Sequence, residues 1–194
     1  MINVFVNDET SPLRAVILGT AKGVGNTPHF DDAYDPKSKE HIAAGTYPKE
    51  EDMVKEMEAF AKILQKYGVK VYRPEIIENY NQIFSRDIGF VIEDKFIKPR
   101  ILKDRKEEIK GIHYILEQIN PAQLLMVPEE VRVEGGDVMP WKDHIFVGYS
   151  EEEAFQKYVV SRTNREGVEF LKESFPDKKV ISFELKKSDT NPRE

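Results

Sequence analysis

The sequence predicts an α/β protein assembled from repeated ββαβ modules. A hairpin, a helix and a further strand follow one another over residues 83–127, and the same order returns over residues 131–185. Residues 2–73 have this order too, with a long polar loop inserted. Repetition of one supersecondary unit predicts modules arranged around an axis, with functional residues on the strand ends that face it. No linker interrupts the pattern, so we expect a single domain over residues 1–194.

The composition is that of an ordinary globular protein. The 194 residues are 40% hydrophobic and 33% charged, and a chain of this length can bury roughly 70% of its unfolded surface. The net charge is −6, and no basic stripe is interleaved with aromatic residues, so nucleic acid is not an expected partner.

Membrane association and cysteine chemistry are also disfavoured by the sequence. No run of about 18 apolar residues is present, and the N-terminus lacks the layout of a secretory signal, which favours a cytoplasmic protein. The chain has no cysteine, so it holds no disulfide, no thiolate metal ligand and no cysteine nucleophile.

The first module begins with two β-prone runs, residues 2–6 and 13–19, which predict two strands or an arm and a strand. Residues 20–46 form a polar loop without periodicity, which we interpret as a lid over a site, with simple disorder as the alternative. A helix ending at Gly68 follows, and residues 69–73 form a strand. The methionines of that helix are assigned to the core, and its apolar stripe is Met53, Met57, Phe60, Leu64 and Tyr67.

The second module is predicted from a hairpin over residues 83–97 and a strand over residues 123–127. Between them, Asp104 and Glu107 have the spacing of a capping box that opens a helix. His113 lies at the edge of the apolar stripe of this helix, which places it in the core or at the core boundary.

The third module is predicted to begin with a strand over Val131–Val138, where apolar and polar residues alternate. Residues 144–150 are its hairpin partner, and residues 179–185 form the closing strand. Thr163 and Glu166 make a second capping box, for a helix that ends at Pro176.

A glycine pair flanked by acids interrupts the strand predicted over residues 131–138. Glu134 and Asp137 enclose Gly135 and Gly136, so backbone or ligand can approach closely where acid is concentrated. We interpret this stretch as the floor of a cation site. The alternative is a glycine bulge with solvated acids.

A third acid, Asp87, lies at the corresponding place in the preceding module. If the modules are related by rotation, Asp87, Glu134 and Asp137 converge near the axis, where paired carboxylates would recognise a planar guanidinium. A metal is the competing ligand, but no histidine lies nearby in sequence and no EF-hand loop is present. We therefore favour a guanidinium and expect neither a metal nor a cofactor.

Arg162 is the candidate complement to these acids. It precedes a capped helix, where a guanidinium and free backbone N–H groups could hold a carboxylate. Acids on one side and an arginine on the other suit a zwitterionic guanidino acid such as arginine. A surface arginine beside a helix N-terminus is the alternative.

Taken in order, Arg86-Asp87, the Glu134–Asp137 stretch and Arg162-Thr163-Asn164 resemble motifs of the guanidino-group-modifying superfamily. This superfamily contains amidinotransferases, arginine deiminases and dimethylarginine dimethylaminohydrolases. The resemblance runs from about Ser11 to Phe183, which is most of the chain.

The resemblance implies a pentein-type propeller of five ββαβ modules, of which about three are present. It also implies a cysteine that attacks the guanidinium carbon and a histidine that acts as general acid and base. By motif, Asp87 would anchor the guanidinium and Glu134 would be the catalytic acid beside the histidine. Asp137 would be a supporting site acid, and Arg162 would bind the substrate carboxylate.

The chain departs from the superfamily where the nucleophile is concerned. The expected histidine follows the strand that ends near Leu185, the expected cysteine lies further on, and the sequence stops at Glu194 without either. We therefore expect the N-terminal part of an enzyme, inactive alone and C-terminally incomplete, whose partners are an arginine-like substrate and the remaining modules. The alternative is a noncatalytic module that binds an arginine-like ligand or a protein.

The type of reaction and the oligomeric state stay open. Gly135-Gly136 resembles the hydrolases, whereas Tyr47-Pro48 and residues 69–74 also resemble the transferases. Module faces left exposed by an incomplete ring would favour either self-association or docking of the remaining modules.

Overall fold

The computed structural model describes residues 1–31, 33, 36–101, 105–157 and 159–187. The contacts divide the chain into two compact units. The smaller unit is Leu13–Ile83, and the larger unit combines Met1–Pro12 with the chain from Phe84 onward.

The smaller unit is built on two parallel strands, β1 (Ala15–Ile17) and β2 (Lys70–Tyr72). Two helices lie between them in sequence, α1 (Pro36–Ala43) and α2 (Glu50–Lys66). The first of these falls inside the segment that was predicted to be an irregular loop, so that prediction is wrong over α1. Asp32 and Asp35 of the same segment lie outside the described residues.

Helix α2 ends as the sequence predicts, but its buried face is displaced from the predicted stripe. Gly68 has φ 77°, the left-handed conformation that stops the helix. Phe60 and Tyr67 belong to the predicted stripe but are exposed. The buried face is turned toward Ala61, which is buried, and Met53, Met57 and Leu64 are half-buried.

The larger unit contains two three-stranded mixed sheets. In the first, β3 (Phe90–Ile92) pairs antiparallel with β4 (Lys95–Lys98), and β4 pairs in parallel with β5 (Leu124–Met126). A 3-10 helix over Glu108–Ile112 continues into α3 (His113–Leu116) between β4 and β5. This is the predicted ββαβ order.

Two local predictions in this module have different outcomes. His113 is exposed, so its assignment to the core or its boundary is wrong. The capping box cannot be assessed, because Asp104 lies outside the described residues.

The second sheet has the same order and longer strands. Strand β6 (Val138–Trp141) pairs antiparallel with β7 (His144–Tyr149), and β7 pairs in parallel with β8 (Lys179–Glu184). Helices α4 (Glu152–Gln156) and α5 (Arg165–Ser174) connect β7 to β8.

The strand predicted over Val131–Val138 is wrong. The chain forms a 3-10 turn at Gly135–Asp137, and β6 begins only at Val138. Glu134 therefore lies at the start of a turn and not in a strand ladder. Its side chain can contact groups outside the sheet.

The N-terminal residues form an arm rather than a strand of the first module. Single bridges join Ile2 to Ile119, Val6 to Glu93 and Asp8 to Trp141. Of the two predicted alternatives the arm is correct, and the first module lacks the hairpin that the other two contain.

One apolar core supports both sheets of the larger unit. On β6 and β7, alternate residues are buried, as the period of a strand requires. The core residues are Phe90, Ile92, Ile97, Val127, Val131, Val133, Val138, Ile145, Val147, Tyr149, Val168, Leu171 and Phe175. Within the described residues, no helix has the length and apolar character needed to cross a bilayer.

Candidate functional site

The segment that precedes β3 packs directly against the turn that carries the two predicted acids. A Cβ atom added to Gly135 would lie 2.3 Å from the carbonyl oxygen of Arg86 and 3.0 Å from the Cβ of Phe90. One added to Gly136 would lie 3.2 Å from Oδ1 of Asp87. The glycine pair therefore permits the close approach that the sequence predicted, and it brings Asp87 beside Glu134 and Asp137.

The Arg86 side chain binds both ends of this turn. Its Nε donates to the carbonyl oxygen of Gly135 at 2.6 Å, and its Nη2 donates to that of Val138 at 2.5 Å. The same guanidinium pairs with Glu9. Both ends of the acidic turn are thus held by one side chain.

Asp137 organises the segment that precedes α5. Its Oδ2 accepts hydrogen bonds from Ser161 Oγ at 3.0 Å, from the backbone N–H of Arg162 at 3.0 Å and from Thr163 Oγ1 at 2.8 Å. Ser161 and Thr163 are buried. Asp137 therefore fixes the backbone of Arg162, and through it the origin of the arginine side chain.

The capping box predicted at Thr163 is wrong, and the reason bears on the site. Asn164 caps α5 instead, because its side chain accepts from the N–H of Gly167 at 2.9 Å. The Thr163 hydroxyl is thereby available to Asp137, and it also accepts from the N–H of Glu134 at 3.2 Å. Thr163 thus joins the two acids.

Glu134 is a buried acid with one oxygen paired and one unpaired. The residue is 5% exposed, and its Oε1 accepts from Arg162 Nη1 at 2.5 Å. Its Oε2 has no hydrogen-bond partner among the described residues. Burial, and then the negative charge of Asp87, raise the pKa of Glu134 to about 7 against the opposing effect of Arg162.

Asp87 lies between two guanidinium groups. Its Oδ2 accepts from Arg105 Nη1 at 2.7 Å and lies 3.7 Å from Arg162 Nη1. Arg105 also binds Glu108 with two parallel hydrogen bonds of 2.7 and 2.8 Å. Burial works against the charge of Arg105, but the bonds to Glu108 and Asp87 outweigh it and raise the pKa of the guanidinium.

Arg105 and Glu108 are site residues that sequence reasoning missed. They have the i, i+3 spacing of an ion pair on a helical turn, which was a usable signal. It was obscured because the adjacent Asp104 and Glu107 have the same spacing and were interpreted as a capping box. The two pairs overlap, shifted by one residue.

The four predicted site residues meet in one cluster, although one of them is oriented differently from the prediction. Asp87 and Glu134 both lie beside Arg162, and Asp137 holds its backbone. Arg162 was expected to face the acids across a ligand, whereas its guanidinium contacts Glu134 directly. In the described part of the chain, no group of three or more histidines, cysteines or carboxylates could hold a metal ion.

The cluster has an excess of negative charge. Arg105 and Arg162 face the carboxylates of Asp87, Glu108, Glu134 and Asp137, so two positive groups stand against four negative ones when Glu134 is ionised. The net charge of −2 falls to −1 when Glu134 is protonated. Such a cluster favours a cation that can donate several hydrogen bonds.

Comparison with known proteins finds likeness in structure but not in sequence. No protein-family model matches the chain, and no curated protein matches it significantly. Solved structures do match.

Three of the matching structures are named as a dimethylarginine dimethylaminohydrolase and two amidinotransferases. The chain superimposes on dimethylarginine dimethylaminohydrolase from Pseudomonas aeruginosa, solved with citrulline, with a TM-score of 0.65 and 18% identity over 91% of this chain and 62% of that one. SxtG, an amidinotransferase of saxitoxin biosynthesis from Microseira wollei, gives 0.68 and 18% over 94% and 62%. Inosamine-phosphate amidinotransferase from Streptomyces griseus gives 0.64 and 17% over 94% and 62%.

These comparisons show that the chain shares its fold with a dimethylarginine dimethylaminohydrolase and two amidinotransferases, as the resemblance in sequence predicts. The chain has the α/β fold with mixed sheets that these structures share. It spans about 62% of the length of each of these three structures.

Proposed function

We propose that this chain is the substrate-anchoring part of an enzyme that modifies guanidino compounds. The substrate would be arginine or a related guanidino acid, and the reaction would be hydrolysis of a C–N bond or transfer of the amidino group. One observation carries the proposal: Glu134 is buried beside Asp87, and its Oε2 has no partner within the described residues. A buried carboxylate oxygen without a hydrogen-bond donor lowers the stability of the fold. Glu134 is therefore suited to accept a hydrogen bond from a catalytic group.

The proposal also concerns the arrangement of the ββαβ modules. We propose that residues 1–194 belong to a single pentein-type propeller, with about three of its five modules in this chain. The greater length of the matching structures supports this, as does the ββαβ order of the two modules in the larger unit. The remaining modules would supply the cysteine and the histidine.

The proposed reaction uses the acids to orient the substrate. Asp87 would accept hydrogen bonds from the guanidinium N–H groups, while Glu134 would pair with the histidine and stabilise its protonated form. The cysteine thiolate would add to the guanidinium carbon, and protonation of one nitrogen by the histidine would release an amine or ammonia. The resulting amidino-thioether would be resolved by water in a hydrolase or by an acceptor amine in a transferase.

Two further residues have distinct proposed roles. Arg162 would bind the carboxylate of the substrate, as expected from the sequence. Asp137 was expected to be a supporting acid in the site, and its three hydrogen bonds to the 161–163 segment support a role in fixing the backbone from which Arg162 projects.

The second candidate is a noncatalytic module that binds an arginine-like ligand. The observation that favours it is the absence of cysteine from all 194 residues. Such a module would use the same acids for recognition and would catalyse nothing, with or without further chain.

An activity assay separates the two candidates. The protein isolated from its natural source, and the 194-residue chain alone, are incubated with arginine, methylated arginine, or arginine plus glycine, and citrulline and ornithine are measured. We expect product from the natural protein, none from the chain alone, and none from a natural-length Glu134→Gln variant. Turnover by the chain alone would contradict the cysteine mechanism, and wild-type rates in the variant would remove Glu134 from catalysis. Binding of arginine without turnover by the natural protein would favour the second candidate.

A further inference from the structure

Arg162 places a guanidinium of the chain itself against the two acids proposed to receive the substrate. Its Nη1 lies 2.5 Å from Glu134 Oε1 and 3.7 Å from Asp87 Oδ2. This is the arrangement that a substrate guanidinium would need. Arg162 cannot keep this contact and at the same time leave both acids to a ligand.

We propose that Arg162 determines specificity by exchange: its guanidinium occupies the Glu134–Asp87 pair in the ligand-free protein and leaves when a guanidino acid supplies both a replacement guanidinium and a carboxylate. The proposal rests on the proposed function, since it assumes that guanidino ligands enter this site. It adds a direct competition between the chain and the ligand for the same two acids.

The two arginines of the cluster differ in how far their side chains are exposed. Arg105 is fixed by two bonds to Glu108 and one to Asp87, and its side chain is 10% exposed. The Arg162 side chain is 27% exposed, whereas that of Glu134 is only 6% exposed. Arg162 therefore reaches the buried acids from the solvent side and can withdraw toward solvent, while Arg105 remains as part of the floor.

The backbone of Arg162 would not have to move in this exchange. Its N–H is bound to Asp137 at 3.0 Å, and the flanking Ser161 and Thr163 are buried and bonded to the same carboxylate oxygen. The side chain can therefore turn about a fixed origin, so that the released guanidinium stays near the site. A ligand carboxylate bound close to the acids would be within the region that this side chain sweeps.

Charge balance explains why an exchange would favour guanidino acids. Replacing one guanidinium by another leaves the acids neutralised to the same extent, but a simple guanidine leaves the displaced Arg162 without its carboxylate partner. A ligand carboxylate restores that pairing through a charge-assisted hydrogen bond. An anion on the ligand thus offsets part of the penalty that the exchange imposes on every guanidinium.

Removal of the Arg162 side chain therefore has opposite consequences for the two kinds of ligand. A simple guanidine no longer has a competitor, and the named groups lose one positive charge, so this ligand should bind more tightly. Arginine also loses its competitor for the two acids, but it loses the partner of its carboxylate as well. A residue that only bound the substrate carboxylate would leave the affinity for a simple guanidine unchanged.

The test is a calorimetric titration of the 194-residue chain with methylguanidinium and with arginine at pH 8, where Glu134 is ionised. We compare wild type with Arg162→Ala and use Arg165→Ala as the matched control, because Arg165 carries the same charge in the same region but pairs with Glu151 at the surface. Circular dichroism verifies folding, and Arg162→Gln replaces the alanine variant if that variant does not fold.

We expect Arg162→Ala to bind methylguanidinium on the order of 5-fold more tightly than wild type and to lose on the order of 10-fold of its preference for arginine. Arg165→Ala should behave as wild type. Unchanged or weaker methylguanidinium binding by Arg162→Ala, with arginine still bound by wild type, would overturn the exchange and leave the proposed function standing. If neither ligand binds any form of the protein, the proposed function itself fails, and the exchange with it.

Discussion

At the scale of single residues, Glu134 is the group whose chemistry is most changed by folding. It is buried, it lies near a second acid, and the pKa of its carboxyl is about 7 rather than its usual value near 4.5. The folded protein therefore retains a proton on Glu134 over a pH range in which the unfolded chain has already released it. This difference makes stability depend on pH in a direction that can be stated in advance.

We expect the free energy of unfolding of wild type, relative to Glu134→Gln, to fall as the pH rises from about 4.5 to about 7. Between these values the native state binds more protons than the unfolded state, so raising the pH removes stability, by about 3 kcal/mol at most. Urea titrations of both proteins at several pH values measure the difference. A difference that is flat over this range, or that rises with pH, would contradict the raised pKa.

The residues of the site were largely predictable, and the reasons for the exceptions are physical. Asp87, Glu134 and Asp137 could be named because acids lie at corresponding places in successive modules, and Arg162 because it precedes a capped helix. The direct pairing of Arg162 with Glu134 could not be predicted. Which of several opposite charges will pair depends on side-chain geometry across three segments that are far apart in sequence. Contacts of that kind are set by packing rather than by local pattern.

At the scale of elements, the acidic turn is held in place by its neighbours rather than by its own propensity. The alternation over Val131–Val138 predicted a strand, but the chain turns at Gly135–Asp137. There the carbonyl oxygen of Arg86 occupies the place that a side chain at position 135 would need. The helix cap shows the same effect. Asn164 takes the cap, and Thr163 is drawn to Asp137. Tertiary contacts override short local signals in both places.

Gly135→Ala should destabilise the protein by about 1 to 3 kcal/mol, because the added Cβ would lie 2.3 Å from a backbone oxygen that cannot easily shift. Gly136→Ala is the matched control. Its added Cβ would meet only the Asp87 side chain at 3.2 Å, so a smaller loss is expected. Urea-induced unfolding of the three proteins measures both changes. Equal losses in the two variants would show that the close approach at Gly135 does not maintain the turn.

At the scale of the whole molecule, the repeat in the sequence predicted the two complete ββαβ modules of the larger unit. These modules share one core, to which β6, β7 and α5 all contribute buried residues. The first module was only partly predictable, because residues 2–6 bridge to Ile119 and Glu93 instead of pairing with β1. An isolated β-prone run carries no information about which distant strand it will join.

The central claim is that the Asp87 and Glu134 carboxylates form a guanidinium site. Calorimetric titration of the 194-residue chain with arginine tests it most directly, with Asp87→Asn as the variant and Asp94→Asn as the control, since Asp94 is an exposed acid in the β3–β4 turn. We predict saturable binding that weakens by at least about 10-fold in Asp87→Asn and is unchanged in Asp94→Asn. Equal affinity in all three proteins, or no binding to wild type, would contradict the claim.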